Sequence, residues 1–285
     1  MVINALSIDL EYWYSAELVR KFAVESAEKR LDLIAEMTRP ILDLLDGFGV
    51  SATFFVLGVV AEEHPEVVEE IYESGHEIGS HAYSHKTLYE LGRERFEEEI
   101  KLSVELLRGI TKEKPVGFRA PSFSVDNSTR WAFEVLERYG FKYDSSVFPI
   151  RTRLYGVPNA PVQIYKPLKE EITKEDPERD EGGIIEFPLT VVKLVGRNIP
   201  VSGGFFLRVL PLKILKSALK RVNAKERRPA VIYLHPWEVY AETPRLNLPL
   251  SSRFITYYGI GSAKKKLEGL LRCFKFAPMK EVLGL

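Results

Sequence analysis

The chain has one cysteine, Cys273, among 285 residues. A single thiol makes neither an internal disulfide nor a cysteine-based zinc site, so any bound metal must be held by histidine and carboxylate. Net charge is missing too, because 40 Lys+Arg balance 40 Asp+Glu. With no overall field and no local basic patch, nucleic acid and an acidic membrane surface are excluded as expected partners. No uninterrupted apolar run approaches the roughly 18 residues of a spanning helix. The first residues lack the basic start of a signal peptide and reach Asp9 early, so they read as a buried strand and the expected location is the cytoplasm. Gln occurs once, at Gln163, and Met three times, beside abundant Lys and Glu. That bias is reported for heat-adapted proteins and predicts melting above about 60 °C.

What is present is a core-forming composition, 45% apolar and 11% aromatic. Short β-branched and aromatic runs alternate with segments of helical period, the signature of a parallel α/β sheet or barrel. The expected strands are Val2 to Leu10, Ala52 to Leu57, Glu77 to Ser80, Val116 to Phe118, the neighbourhood of Tyr143, Ile184 to Phe187, and Val231 to Leu234. Thr38 is placed to cap a helix with Pro40 in its first turn, and Gly47 or Gly49 to close it. From Gly92 to Ile110 the apolar residues Phe96, Ile100, Val104 and Leu107 share one stripe, which makes Glu97-Glu98-Glu99 a solvated face. Ser262 is expected to cap the last helix. Residues from about 150 to 206 are rich in Pro and Gly, hold the polar run Lys169 to Gly183 and show no long helix. They read as an insertion of hairpins and loops within a single domain of residues 1–285, and about 240–285 as a C-terminal extension.

In such sheets ligands sit beyond the carboxyl ends of the strands. There the first strand offers Asp9 and Glu11, which alternation puts on one side: a metal-ligand and base pair, or ordinary strand-end charge. His81 and His85 are spaced to meet on one helical turn and can share an ion, although buried histidines are commonly structural. His64 reads as a surface residue and His76 as structural. Arg119, Asp144 and His235 each follow a strand. Each has a bland explanation, but residues of catalytic type at five successive strand ends point to a site.

The ordered set Asp9 with Glu11, His81-x-x-x-His85, Arg119-x-Pro121, Asp144 and His235 resembles the motifs of the polysaccharide deacetylases, also called NodB-homology domains or family-four carbohydrate esterases. Gly203-Gly204-Phe205-Phe206-Leu207-Arg208, His235-Pro236-Trp237-Glu238 and the Arg253 to Leu271 tail resemble a branch found with exopolysaccharide loci. The resemblance implies a distorted (β/α)7-type barrel and a hydrolase that removes N-acetyl groups from an amino-sugar polysaccharide or glycan precursor, releasing acetate. It implies a divalent ion, Zn2+ or else Co2+, Ni2+ or Mn2+, held by Glu11, His81 and His85. Asp9 would then be the general base, Arg119 would hold it charged and oriented, and the backbone N–H of Ser122 would help stabilise the oxyanion. His235 would protonate the leaving amine, with Asp144 orienting it and raising its pKa. Two features depart from the commonest pattern: the acids are separated by Leu10 instead of adjacent, so which of them binds metal stays open, and Tyr233 stands where Leu is frequent. Trp237, Tyr12 and Trp13 are candidates for stacking on the sugar. A small cyclic amide or ureide as substrate, or a non-catalytic glycan-binding role, are the alternatives, and self-association stays open.

Overall fold

Strand β1 (Ile3–Leu10) lies within the sheet and is flanked by parallel neighbours on both edges. The computed structural model describes residues 2–23, 32–152, 155–176 and 182–285, so part of the polar run 169–183 lies outside the described residues. After β1 come helices α1 (Glu17–Ala23) and α2 (Ile34–Phe48), strand β2 (Thr53–Val56), and helices α3 (Gly58–Glu63) and α4 (Pro65–Glu73). They are followed by β3 (Glu77–Ser80), α5 (Leu88–Thr111), β4 (Gly117–Phe118), α6 (Trp131–Tyr139), β5 (Tyr143–Asp144) and β6 (Ile185–Glu186). A small antiparallel hairpin, β7 (Val191–Leu194) and β8 (Arg197–Pro200), leads to α7 (Gly204–Val209), α8 (Leu212–Ala224) and β9 (Val231–Leu234). The chain ends with α9 (Leu250–Tyr257), α10 (Ile260–Leu271), β10 (Lys275–Ala277) and α11 (Met279–Leu283).

The parallel pairs run β1-β2-β3-β4-β5-β6, with β9 and β10 both on β1. Ala5 pairs with β9 and β10, and Ser7 with β9 and β2, so β9 takes one edge of β1 while β10 and β2 share the other. The sheet is curled. Arg119, just past β4, reaches the Asp9 carboxylate at 2.7 Å although β2 and β3 lie between their strands. On the open side, between β6 and β9, the Val231 N–H donates to Thr190 Oγ1 at 2.6 Å in place of a strand ladder. This is the distorted (β/α)7-type barrel that the motif order implied.

Alternation along β1 divides its side chains. Leu6, Ile8 and Leu10 pack outward with Phe54, Val56 and residues of α2 to α4, whereas Ala5 joins an inner cluster with Phe55, Tyr143, Phe187 and Tyr233. Ser7 and Asp9 alternate with the outward residues and sit on the inner face. Three helix boundaries differ from the sequence reading. Helix α2 starts at Ile34, so Thr38 lies inside it, bonded to the Ile34 carbonyl at 2.7 Å, and Pro40 falls in its second turn. Helix α5 starts at Leu88 behind a Thr87–Glu90 capping box, and Gly92 (φ 67°) interrupts its path. Helix α10 is preceded by Gly259, which puts Ser262 in its first turn with Oγ bonded to the Gly259 carbonyl.

Candidate active site

At the carboxyl end of the sheet Asp9 is buried against a guanidinium whose three nitrogens all have partners. Arg119, itself fully buried, donates through Nη1 to Asp9 Oδ1 (2.7 Å) and Ser7 Oγ (2.8 Å), through Nε to the Ser145 carbonyl (2.9 Å), and through Nη2 to Ser145 Oγ (3.0 Å). The Phe55 ring lies under it, with Cζ 4.3 Å from the ring centroid. So many contacts leave Arg119 one orientation, and it fixes Asp9 in turn.

Next to Asp9, ligand atoms of Glu11, His81 and His85 lie within 4.8 Å of one another, all three residues buried. The histidines do not share a helical turn, as their spacing had suggested. They sit on the irregular loop after β3, where Ala82 (φ 59°) and His85 (φ 58°) take left-handed backbone and bring the rings to 5.4 Å. His81 Nδ1 donates to the Arg119 carbonyl at 2.7 Å, and because a carbonyl only accepts, the proton is on Nδ1 and the Nε2 lone pair is free. Burial, helped by the charge of His85, lowers its pKa to about 3, so the ring is neutral. Burial pushes Glu11 up, but the imidazoles of His85, His235 and His81 outweigh it and hold the carboxyl below its ordinary value. Glu11 Oε2 is buried without a hydrogen-bond partner among the described residues, though it lies 2.5 Å from His85 Nε2. Two imidazoles and a buried carboxylate form the donor set of a divalent site with positions left open, so these residues fit such an ion.

His235, just past β9, points Nε2 toward Glu11 (3.6 Å) and Asp9 (3.9 Å). The carboxylate that orients it is not Asp144. His235 Nδ1 and its backbone N–H both donate to Glu238 Oε2, at 2.8 and 3.1 Å. Asp144 accepts instead from Ser146 N–H and Oγ and is paired with Glu186, where burial raises both carboxyls. The reason is local: Pro236 and Trp237 make a tight turn that folds Glu238 back onto His235. Burial would lower the His235 pKa, but Glu11, Glu238 and Asp9 prevail and raise it to about 9.

Asp9, Glu11, His81, His85, His235 and Glu238 line a cavity of about 320 Å³ with Ser122, Phe123, Tyr155, Phe205, Tyr233 and Trp237. Trp237 stacks on His235 with 5.3 Å between centroids, and Ser122 (φ 52°) sits in the turn after Arg119 and Pro121. Tyr12 and Trp13 are not in the lining. Tyr12 bonds Glu63 and stacks on Tyr14, and Trp13 is buried with Met37, Leu246 and Tyr257, because the chain turns away from the sheet after Glu11. Sequence reading passed over Glu238, for which the i, i+3 spacing to His235 was the available signal, and Arg208, which holds Glu238 Oε1 at 2.9 Å. It also passed over Glu99, whose carboxylate accepts from Tyr83 N–H, Ser84 N–H and Ser84 Oγ and so is more than a solvated face.

The family profile "Polysaccharide deacetylase" matches residues 31–143, the stretch that carries His81, His85 and Arg119. Residues 31–143 thus resemble that family. A second profile, a domain of unknown function, matches residues 145–284, which carry His235 and Glu238. The chain is 30% identical over 153 residues to a peptidoglycan deacetylase-like protein of Gibberella zeae, an alignment covering 52% of the chain and 44% of that protein. Among solved structures it resembles a polysaccharide deacetylase-type protein from Mycobacterium smegmatis, with TM-score 0.62, 20% identity, and 99% and 89% of the two chains covered. It also resembles an allantoinase, with TM-score 0.61, 17% identity, and 99% and 88% covered. At these identities the two structures show the shared fold.

Proposed function

We propose that the protein is a metal-dependent N-deacetylase of an amino-sugar polysaccharide or glycan precursor. The observation that carries the reading is the convergence on one cavity of the Asp9–Arg119 pair, the Glu11, His81 and His85 donors, and His235. A divalent ion in that donor set would polarise the acetyl carbonyl and lower the pKa of a water from 15.7 toward about 7. Asp9, fixed by Arg119, takes the proton of the attacking water. Ser122 lines the cavity, and its N–H is the donor assigned to the developing oxyanion. An amine is a poor leaving group, and His235 supplies the proton it needs. Aromatic walls around these charges suit a sugar ring with its acetyl group, and the cavity, at the small end of ligand pockets, takes one such unit.

The test is acetate release from N-acetylglucosamine oligomers, with cyclic amides and allantoin assayed in parallel. Acetate release that stops with a chelator and returns with Zn2+ is expected, and His235→Ala is expected to lower kcat about 10²- to 10⁴-fold. Chelator-insensitive release would overturn the metal assignment. Turnover of the cyclic compounds alone would move the protein to the ureide reading, and turnover of neither to glycan binding.

A further inference from the structure

The Gly-Gly-Phe-Phe-Leu-Arg segment at Gly203 to Arg208 gives Phe205 to the cavity wall and packs against the turn that holds His235. Its last residue, Arg208, is buried with every nitrogen engaged: Nε donates to Glu238 Oε1 (2.9 Å), Nη1 to the Tyr258 carbonyl (2.5 Å) and Nη2 to the Ile255 carbonyl (2.8 Å). The last two are carbonyls at the end of α9, which have no partner inside that helix. Arg208 therefore anchors Glu238 to α9, and Glu238 Oε2 anchors His235. Gly204 makes room for this. A Cβ there would lie 1.5 Å from Glu238 Oε2 and 2.2 Å from Oε1.

We infer that Gly204, Arg208 and Glu238 are positioning residues for His235, a relay built by the segment that matches the domain of unknown function. With Nδ1–H held by Glu238, Nε2 is the nitrogen turned toward Asp9 and Glu11. Resting on the deacetylase reading, the relay acts in one step. Water has added to the acetyl carbonyl; the oxyanion pair re-forms the C=O bond as the C–N bond breaks, the nitrogen takes that bond pair and the proton from His235 Nε2, and acetic acid is left, which ionises to acetate. A carboxylate that only supported the fold would affect every substrate alike. One that positions the acid matters where the leaving group needs a proton.

The experiment compares kcat on an N-acetylglucosamine oligomer with kcat on 4-nitrophenyl acetate, whose leaving group departs without protonation. The amide-to-ester ratio is expected to fall about 10- to 100-fold in Glu238→Gln. It should fall comparably in Gly204→Ala, which keeps every polar group and only displaces the carboxylate. The double variant should be no worse than the more impaired single one, because both changes break the same contact. Asp144→Asn should leave the ratio near the wild-type value. Should Glu238→Gln not fold, Gly204→Ala carries the same test. Equal losses on both substrates in both variants would overturn the relay while leaving the deacetylase reading intact. A readout without substrate separates the two further: in 15N spectra of the His235 ring, Nδ1 is protonated in the wild type and its signal shifts in Glu238→Gln. An unchanged signal overturns the relay. A shifted signal in a protein that releases no acetate keeps the relay and removes the reading.

Discussion

His76 is buried and His235 partly buried, and what faces them differs. The His76 ring accepts the Ala52 N–H on Nδ1 at 3.2 Å and lies against Phe54, with no carboxylate bonded to it among the described residues, and burial lowers its pKa to about 4. Around His235 three carboxylates outweigh burial and turn the shift upward. A stability consequence follows for His76. Its folded value lies below the ordinary 6.5, so between those two pH values the unfolded chain binds the proton more readily. The stabilisation from His76 is complete above about pH 6.5 and is lost as pH falls toward 4. The Tm of the wild type should therefore drop between pH 7 and pH 4.5 by more than that of His76→Gln, whose side chain does not titrate. Equal drops in thermal melts of the two proteins would show that His76 is not held neutral.

At the scale of elements, the donor loop between β3 and α5 is irregular, with two left-handed non-glycine residues, and needs bracing from outside. Glu99 supplies it from α5 by accepting two backbone N–H groups and one hydroxyl between His81 and His85, while the Thr87–Glu90 capping box fixes where that helix begins. Supporting contacts of this kind are typically worth 10- to 100-fold in metal affinity. Glu99→Ala is expected to weaken Zn2+ binding by that factor in a competition titration with a chromophoric chelator, with Asp9 and His235 untouched. Unchanged affinity would mean that the loop holds its shape without Glu99. The sequence pattern showed the apolar stripe of α5 but not this contact, since periodicity says which face is polar and not what the polar face meets. Asp9 was legible because strand alternation is local and strict. The partner of His235 was not, because strand-end order alone does not say which carboxylate folds back, and the three-residue turn that brings Glu238 round carries little periodic signal. Short β10 and the α7 and α9 helices escaped for the same reason.

For the whole molecule, the segment up to Asp144, whose residues 31–143 match one profile, and the second segment, 145–285, which holds the other match, are joined through one sheet. Strands β9 and β10, from the second segment, pair with β1 along Ala5 to Ile8 on one edge and Ile3 to Ala5 on the other, and β6 pairs with β5. Asn4 adds to the junction: its Oδ1 accepts from the Ala230 N–H and Asn223 Nδ2, and its Nδ2 donates to Asn223 Oδ1. The residues of the candidate site divide the same way, with Asp9, Glu11, His81, His85 and Arg119 in the first segment and His235 in the second. A chain ending at Asp144 would leave β1 with open backbone edges and uncover Phe55 and Tyr143, which pack in the inner cluster with Phe187, Val231 and Tyr233. Residues 1–285 are thus expected to melt in one cooperative transition, with far-UV and near-UV circular dichroism coinciding. Residues 1–144 alone are expected to show no cooperative transition, and to recover one when co-expressed with residues 145–285. A 1–144 fragment that melts cooperatively by itself would show that the first segment folds independently and that the second is an addition to a finished domain.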